Sequence, residues 1–169
     1  RIGSVGITEV WGNSFDNFFV SSPGWGNGSM ITNAGAVTFV NGAVGKAGVV
    51  SAANSLVGSA TGDRVGSGGL LQVSDGATFW NVVVKTNDWH SQNWGGGVGA
   101  LTWMNGADGA LSDGSKGAAV SASNSLVGST VGDNIGSGGD SYNNGGNPAV
   151  RVLTDNGNWV ISTPTWSAF

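Results

Sequence analysis

Asp63 and Asp133 each follow a glycine and precede a run containing an apolar residue. Two carboxylates could divide acid–base work if the fold brought them together. They stand, however, at matching positions of two copies of one repeat, which points to side chains capping backbone N–H groups in turns. Asn54 and Asn124 are paired in the same way and take the same reading, as repeat scaffold. His90 is the sole histidine. One imidazole makes no metal cluster, and without a Gly-x-Ser-x-Gly elbow it makes no hydrolase triad. No catalytic residue and no enzymatic activity are expected. The tryptophans carry the sharper chemistry. Trp94 lies in Gln92-Asn93-Trp94-Gly95, and Trp11 occupies a position that does not recur. An indole face stacks on sugar C–H groups while amides bind hydroxyls, so Trp94, Asn93, Gln92 and Trp11 are the candidate glycan contacts. Trp25, Trp89 and Trp166 recur at one repeat position, which predicts packing between units.

These residues must be positioned by a repeat. Residues 51–69 return at 121–139 with few changes, and Arg1-Ile2-Gly3-Ser4 matches Arg64-Val65-Gly66-Ser67 and Asn134-Ile135-Gly136-Ser137. Asn17-Phe18-Phe19-Val20, Asn81-Val82-Val83-Val84 and Asn158-Trp159-Val160-Ile161 also align. The units are 1–63, 64–133 and a partial third, 134–169, that stops midway. Repetition of this kind signals an array, propeller or solenoid.

Each full unit holds four short apolar stretches separated by turn residues, in unit one roughly 2–10, 17–22, 35–41 and 48–57. Asn41-Gly42 and Asn105-Gly106 read as turns built on residues that tolerate positive φ. The insertion 105–117 in unit two reads as a solvated loop, with Asp108 and Asp113 as a weak candidate cation site. Four antiparallel strands in roughly sixty residues is the format of a propeller blade. The expected fold is all-β: tandem four-stranded antiparallel blades, β-propeller-like, forming an incomplete ring or part of a larger array. A β-helix or β-solenoid is the alternative.

Composition agrees. Thirty-two glycines, eight tryptophans and only 9% charged residues suit turn-rich β structure and argue against disorder. The net charge is −4 and the basic residues are scattered, so no phosphate-binding footprint exists and nucleic acid is not an expected partner. No apolar run approaches the ~18 residues of a membrane helix, and insertion into a membrane is not expected. Cysteine is absent, which removes disulfides and thiolate metal sites. Low charge with abundant Gly, Ser, Asn and Thr resembles secreted bacterial surface proteins.

The order of motifs resembles the blade of integrin-α-like (FG-GAP) β-propellers. Gly62-Asp63-Arg64-Val65-Gly66-Ser67 stands where that blade begins, Phe19-Val20-Ser21-Ser22-Pro23 is similar to its second strand, and Gly35-Ala36-Val37-Thr38-Phe39 to the next. With Asn54-Ser55-Leu56-Val57-Gly58, the unit also resembles tandem repeats of large secreted bacterial adhesins near filamentous-haemagglutinin-like proteins. The resemblance implies a secreted or cell-surface location and an adhesive or structural scaffold role in a larger assembly. A carbohydrate-binding module and an enzyme domain on a propeller are the other readings. Partners would be further repeats, neighbouring chains or glycans. Calcium-binding blades of that family carry Asp-x-Asp-x-Asp-Gly. Here the corresponding segments, 10–16, 74–77 and 154–157, lack three alternate carboxylates. Calcium is therefore disfavoured and no cofactor is expected.

Overall fold

A computed structural model describes residues 2–12, 16–74, 80–90, 97–140, 148–152 and 159–163. They fold entirely as strands, turns and bends. The strands are β1 (Gly6–Val10), β2 (Asn17–Ser22), β3 (Ala36–Val40), β4 (Leu56–Val57), β5 (Leu70–Ser74) and β6 (Trp80–Thr86). They continue with β7 (Ala100–Met104), β8 (Ala118–Ala119), β9 (Leu126–Val127), β10 (Gly139–Asp140), β11 (Pro148–Val152) and β12 (Trp159–Ile161). No helix among the described residues is long and apolar enough to cross a membrane.

Among the described residues three sheets form, ordered β1-β2-β3-β4-β8, β5-β6-β7-β9 and β10-β11-β12, and none closes into a barrel. The first four strands of sheet one pair antiparallel, as do all four of sheet two. Registers correspond as well: Phe19 opposes Phe39 as Val83 opposes Trp103, and Val37 opposes Leu56 as Leu101 opposes Leu126. Sheet one is completed by β8, a strand of unit two, which joins the outer edge of β4 in parallel.

Side chains on successive strand residues point to opposite faces, and this alternation stacks the sheets. Phe19, Val37, Phe39 and Leu56 of sheet one form a core with Val82, Val84, Ala100 and Met104 of sheet two. The opposite face of sheet two presents Val73, Val83 and Leu101 to Val150, with Trp103, Trp159 and Ile161 packed around them. Each sheet thus turns its Phe19-type face to the unit that follows and its Val82-type face to the unit before.

The elements depart from the expected ones in three places. The first and last strands of unit one are shorter than the stretches 2–10 and 48–57. Gly3 and Gly6 have φ of +68° and +131°, which breaks the extended run. Asn54 ties residues 49–55 into a turn, leaving only Leu56 and Val57 in the sheet. At the turns that open at Asn41 and Asn105 positive φ falls on neither the asparagine nor the following glycine but on Gly45 and Gly109, whose N–H groups return to the Asn41 and Asn105 carbonyls. The asparagine side chains accept the Ala43 and Ala107 N–H groups. Glycine follows because a Cβ on Gly42 or Gly106 would lie 2.0 or 1.8 Å from the carbonyl oxygen of Asp16 or Trp80. Lastly, the insertion in unit two is not wholly a solvated loop. Leu111 is buried in the core between sheets one and two, bridged to Met104, and Gly109 lies against the Phe39 ring.

Candidate functional site

The polar residues that recur build a joint between consecutive units. Asp63 closes unit one: its Oδ2 accepts the Ser59 and Ala60 N–H groups, both at 2.8 Å. Its Oδ1 accepts the His90 N–H of unit two at 3.0 Å, so one buried carboxylate ties two units. Asp133 repeats the turn, accepting Ser129 N–H at 2.8 Å and Thr130 N–H at 2.9 Å. The two aspartates cap separate turns in different units and do not form an acid–base pair.

Asn54 and Asn124 also make the same bonds. Asn54 accepts the Ser51 N–H and donates to the Val49 carbonyl; Asn124 accepts the Ser121 N–H and donates to the Ala119 carbonyl. Each also takes a hydroxyl proton from the following serine. That serine lies 2.8 or 2.7 Å from a threonine of the neighbouring strand, Thr38 or Thr102. Asn124 is buried and Asn54 half-buried, and an amide whose donor and acceptor are both used on backbone has little left to offer a ligand.

Two further features of the joint rest on recurring residues to which the sequence assigns no role. Asn17, buried at the start of β2, accepts the Gly42 N–H of its own unit and donates to the Gly106 and Ala107 carbonyls of unit two. Asn81 occupies the same place in unit two and accepts the Gly106 N–H. Gly35 and Gly99 form parallel bridges to Val65 and Ile135, the first residues of the next unit's apolar segment. Both glycines have φ near +78°, and a Cβ on either would fall within 2.3 Å of the backbone nitrogen it faces.

Of the recurring tryptophans, Trp89 is buried in the core between the sheets and stacks on His90 with ring centres 3.8 Å apart. Trp25 is half-buried. Their carbonyls accept the Gly35 and Gly99 N–H groups, which holds each glycine at its bridge. Trp166 lies outside the described residues. So do Gln92, Asn93 and Trp94, three of the four candidate glycan contacts. The fourth, Trp11, is 62% exposed while its carbonyl accepts the Trp80 N–H.

Asp108 and Asp113 are occupied locally. Asp108 pairs with Lys116 at 3.0 Å and accepts the Ala110 N–H. Burial pushes its carboxyl up, but the Ala110 N–H and the Lys116 ammonium outweigh burial and hold it below the ordinary carboxylate range. The Ser115 hydroxyl, and then the Ser115 N–H, hold Asp113 below that range too. Among the described residues no three His, Asp or Glu side chains gather where a metal ion could sit.

One concave site stands out. A cleft of about 440 Å³ opens between sheets two and three, walled by Leu101, Trp103, Leu126, Trp159 and Ile161, with the 122–125 turn at its rim.

A protein-family model described as a repeat of unknown function (DUF5650) matches residues 13–67 and 80–137, together more than half of the chain. The chain belongs to this family. Each matched DUF5650 repeat runs from just before a buried asparagine, Asn17 or Asn81, to just past the bridging residue, Val65 or Ile135. The family's unit therefore carries one copy of each joint residue, Asn17, Asn54 and Asp63 or Asn81, Asn124 and Asp133, while partners of Asn17 and Asp63 come from the repeat that follows. No curated protein and no solved structure matches the chain.

Proposed function

We propose that this chain is a structural module: a run of stacked, propeller-like β blades in a secreted or cell-surface protein, serving adhesion or the architecture of an extracellular assembly. The duplicated joint carries this reading. Asp63 and Asp133, and Asn54 and Asn124, spend their polar atoms on backbone groups in the same way in both units. Selection for geometry rather than for a reactive centre leaves such a pattern, and the absence of enzymatic activity belongs to the same proposal. The resemblance to integrin-α-like blades and to adhesin repeats supports the surface role. The test is location. Protease treatment of intact source cells should remove the protein from the cell fraction, and purified protein coated on beads should retain them on a cell or matrix surface. Protein found only in the cytosol, protected until lysis, overturns the proposal.

The exposed Trp11 favours a second reading, glycan contact. Oligosaccharide binding on a glycan array that is lost in Trp11→Ala would establish it; an array without a hit would remove it.

A further inference from the structure

The junction between units one and two supplies a template for what sheet two lacks. In sheet one, β4 is covered: the Ala118 N–H donates to the Ser55 carbonyl at 3.2 Å and the Val120 N–H to the Val57 carbonyl at 3.0 Å. Leu111 and Val120 then close over Leu56, which is fully buried. The corresponding strand in sheet two is β9. Among the described residues it pairs only with β7, and no counterpart of those two donors reaches the Ser125 and Val127 carbonyls. Leu126, the equivalent of Leu56, is 48% exposed.

Sheet three shows the same gap from the other side. β12 corresponds to β2 and β6, each of which has a strand on both edges. Among the described residues β12 pairs only with β11. The edges of β9 and β12 that have no partner strand among the described residues flank one cleft, whose apolar walls are Leu101, Trp103 and Leu126 from one sheet and Trp159 and Ile161 from the other. At the first junction the matching space is filled by β7, Leu111 and β8. Unpaired edges beside an apolar cleft are the setting in which an added strand gains both ladder bonds and burial.

We infer that this cleft is an interaction site for the second half of a further repeat of the same kind. A segment of the type Gly99-Ala100-Leu101-Thr102-Trp103 would pair antiparallel with β12. A segment of the type Ala118-Ala119-Val120 would pair in parallel with β9. The partner is thus another DUF5650 repeat, recognised by backbone pairing and by small and apolar side chains rather than by charge. The inference rests on the structural-module reading and specifies how one unit joins the next.

The test uses the whole chain and a fluorescein-labelled synthetic peptide of residues 97–130, followed by anisotropy and by hydrogen exchange. The peptide should bind saturably and slow exchange at Trp159 and Ile161, whose N–H groups face the open edge, while Val160 faces β11. Leu126→Lys places a charge on an already exposed edge side chain, leaves the fold intact, and should weaken binding at least about tenfold. A peptide carrying Val120→Pro, which lacks the N–H that would reach the Val127 carbonyl, should bind as weakly. Absence of saturable binding up to about 1 mM peptide overturns the inference. Binding indifferent to Leu126→Lys overturns it too, as does protection of β12 by an oligosaccharide panel but not by the peptide. Surface location with no peptide binding would refute this inference alone, whereas a cytosolic location would refute the reading beneath it.

Discussion

Replacing Gly35 by alanine, beside the same change at Gly62, separates the effect of backbone conformation from that of close approach. Both glycines have positive φ, +77° and +86°. An L-residue in that region costs about 1–2 kcal/mol, partly offset by about 0.4–1 kcal/mol from a stiffer unfolded chain. Gly62→Ala meets nothing within 4 Å. It should therefore lose only about 1 kcal/mol. At Gly35 the new Cβ would sit 2.0 Å from the Val65 nitrogen, 2.5 Å from the Arg64 carbonyl carbon and 2.8 Å from the Val65 oxygen. These are backbone atoms and cannot swing aside. The next unit must move, at about 1–3 kcal/mol for overpacking. The Val65 N–H to Ala34 bond and the Gly58 N–H to Gly35 bond, both 3.0 Å, would weaken with it. Each contributes about 1 kcal/mol. The expected loss for Gly35→Ala is about 3–5 kcal/mol. Urea unfolding followed by tryptophan fluorescence would measure both variants, and Gly99→Ala against Gly132→Ala repeats the comparison one unit later. If Gly35→Ala fell within about 1 kcal/mol of Gly62→Ala, the joint would not depend on close approach and the reasoning would fail.

Asn17→Ala removes three hydrogen bonds of a buried side chain, two of them to unit two, and should cost about 2–4 kcal/mol, while Asn81→Ala removes one among the described residues and should cost about 1–2 kcal/mol. Equal losses in urea titrations would contradict the cross-unit role of Asn17. Asp63→Ala strands three N–H groups and should destabilise by about 3–5 kcal/mol, with the His90 amide gaining hydrogen exchange along with those of Ser59 and Ala60. Unchanged exchange at His90 would remove the tie between units. Asp108 titrates lower folded than unfolded, so its stabilisation is complete above about pH 4 and fades as pH falls through the folded value. The stability gap between wild type and Asp108→Asn should therefore narrow on acidification in pH-stepped melts; a gap that widens would reverse the sign.

The sheets were legible because the repeat aligns strand with strand. Asn17 and Asn81, Phe39 and Trp103, and Leu56 and Leu126 each hold one place in the chain and one in the sheet. Asp63, Asp133, Asn54 and Asn124 were legible as scaffold for the same reason: a polar residue kept at a repeat position beside glycine and serine has turn backbone within reach. What escaped was whatever depends on the next unit. Ala118 and Ala119 have little intrinsic preference for strand, and only the open edge of β4 makes them one. Leu111 sits among glycines and serines that look solvated, yet it plugs a core formed by strands distant in sequence. Asn17 and Asn81 hold the same place in the repeat, yet among the described residues only Asn17 reaches carbonyls of another unit. Local pattern carries no record of that difference.

Because β8 completes the sheet before its own, and Asp63 is finished by His90, no cut through the chain isolates one unit with all its bonds. Excising a whole period still works, since Asn134-Ile135-Gly136-Ser137 would arrive where Arg64-Val65-Gly66-Ser67 had been. Removing part of a period would leave a bridging glycine facing the wrong residue. Genes encoding such a chain can therefore lengthen or shorten it by recombination between copies only in whole-period steps. The length of the stacked array becomes a quantity set by repeat number, adjustable without redesigning any single contact.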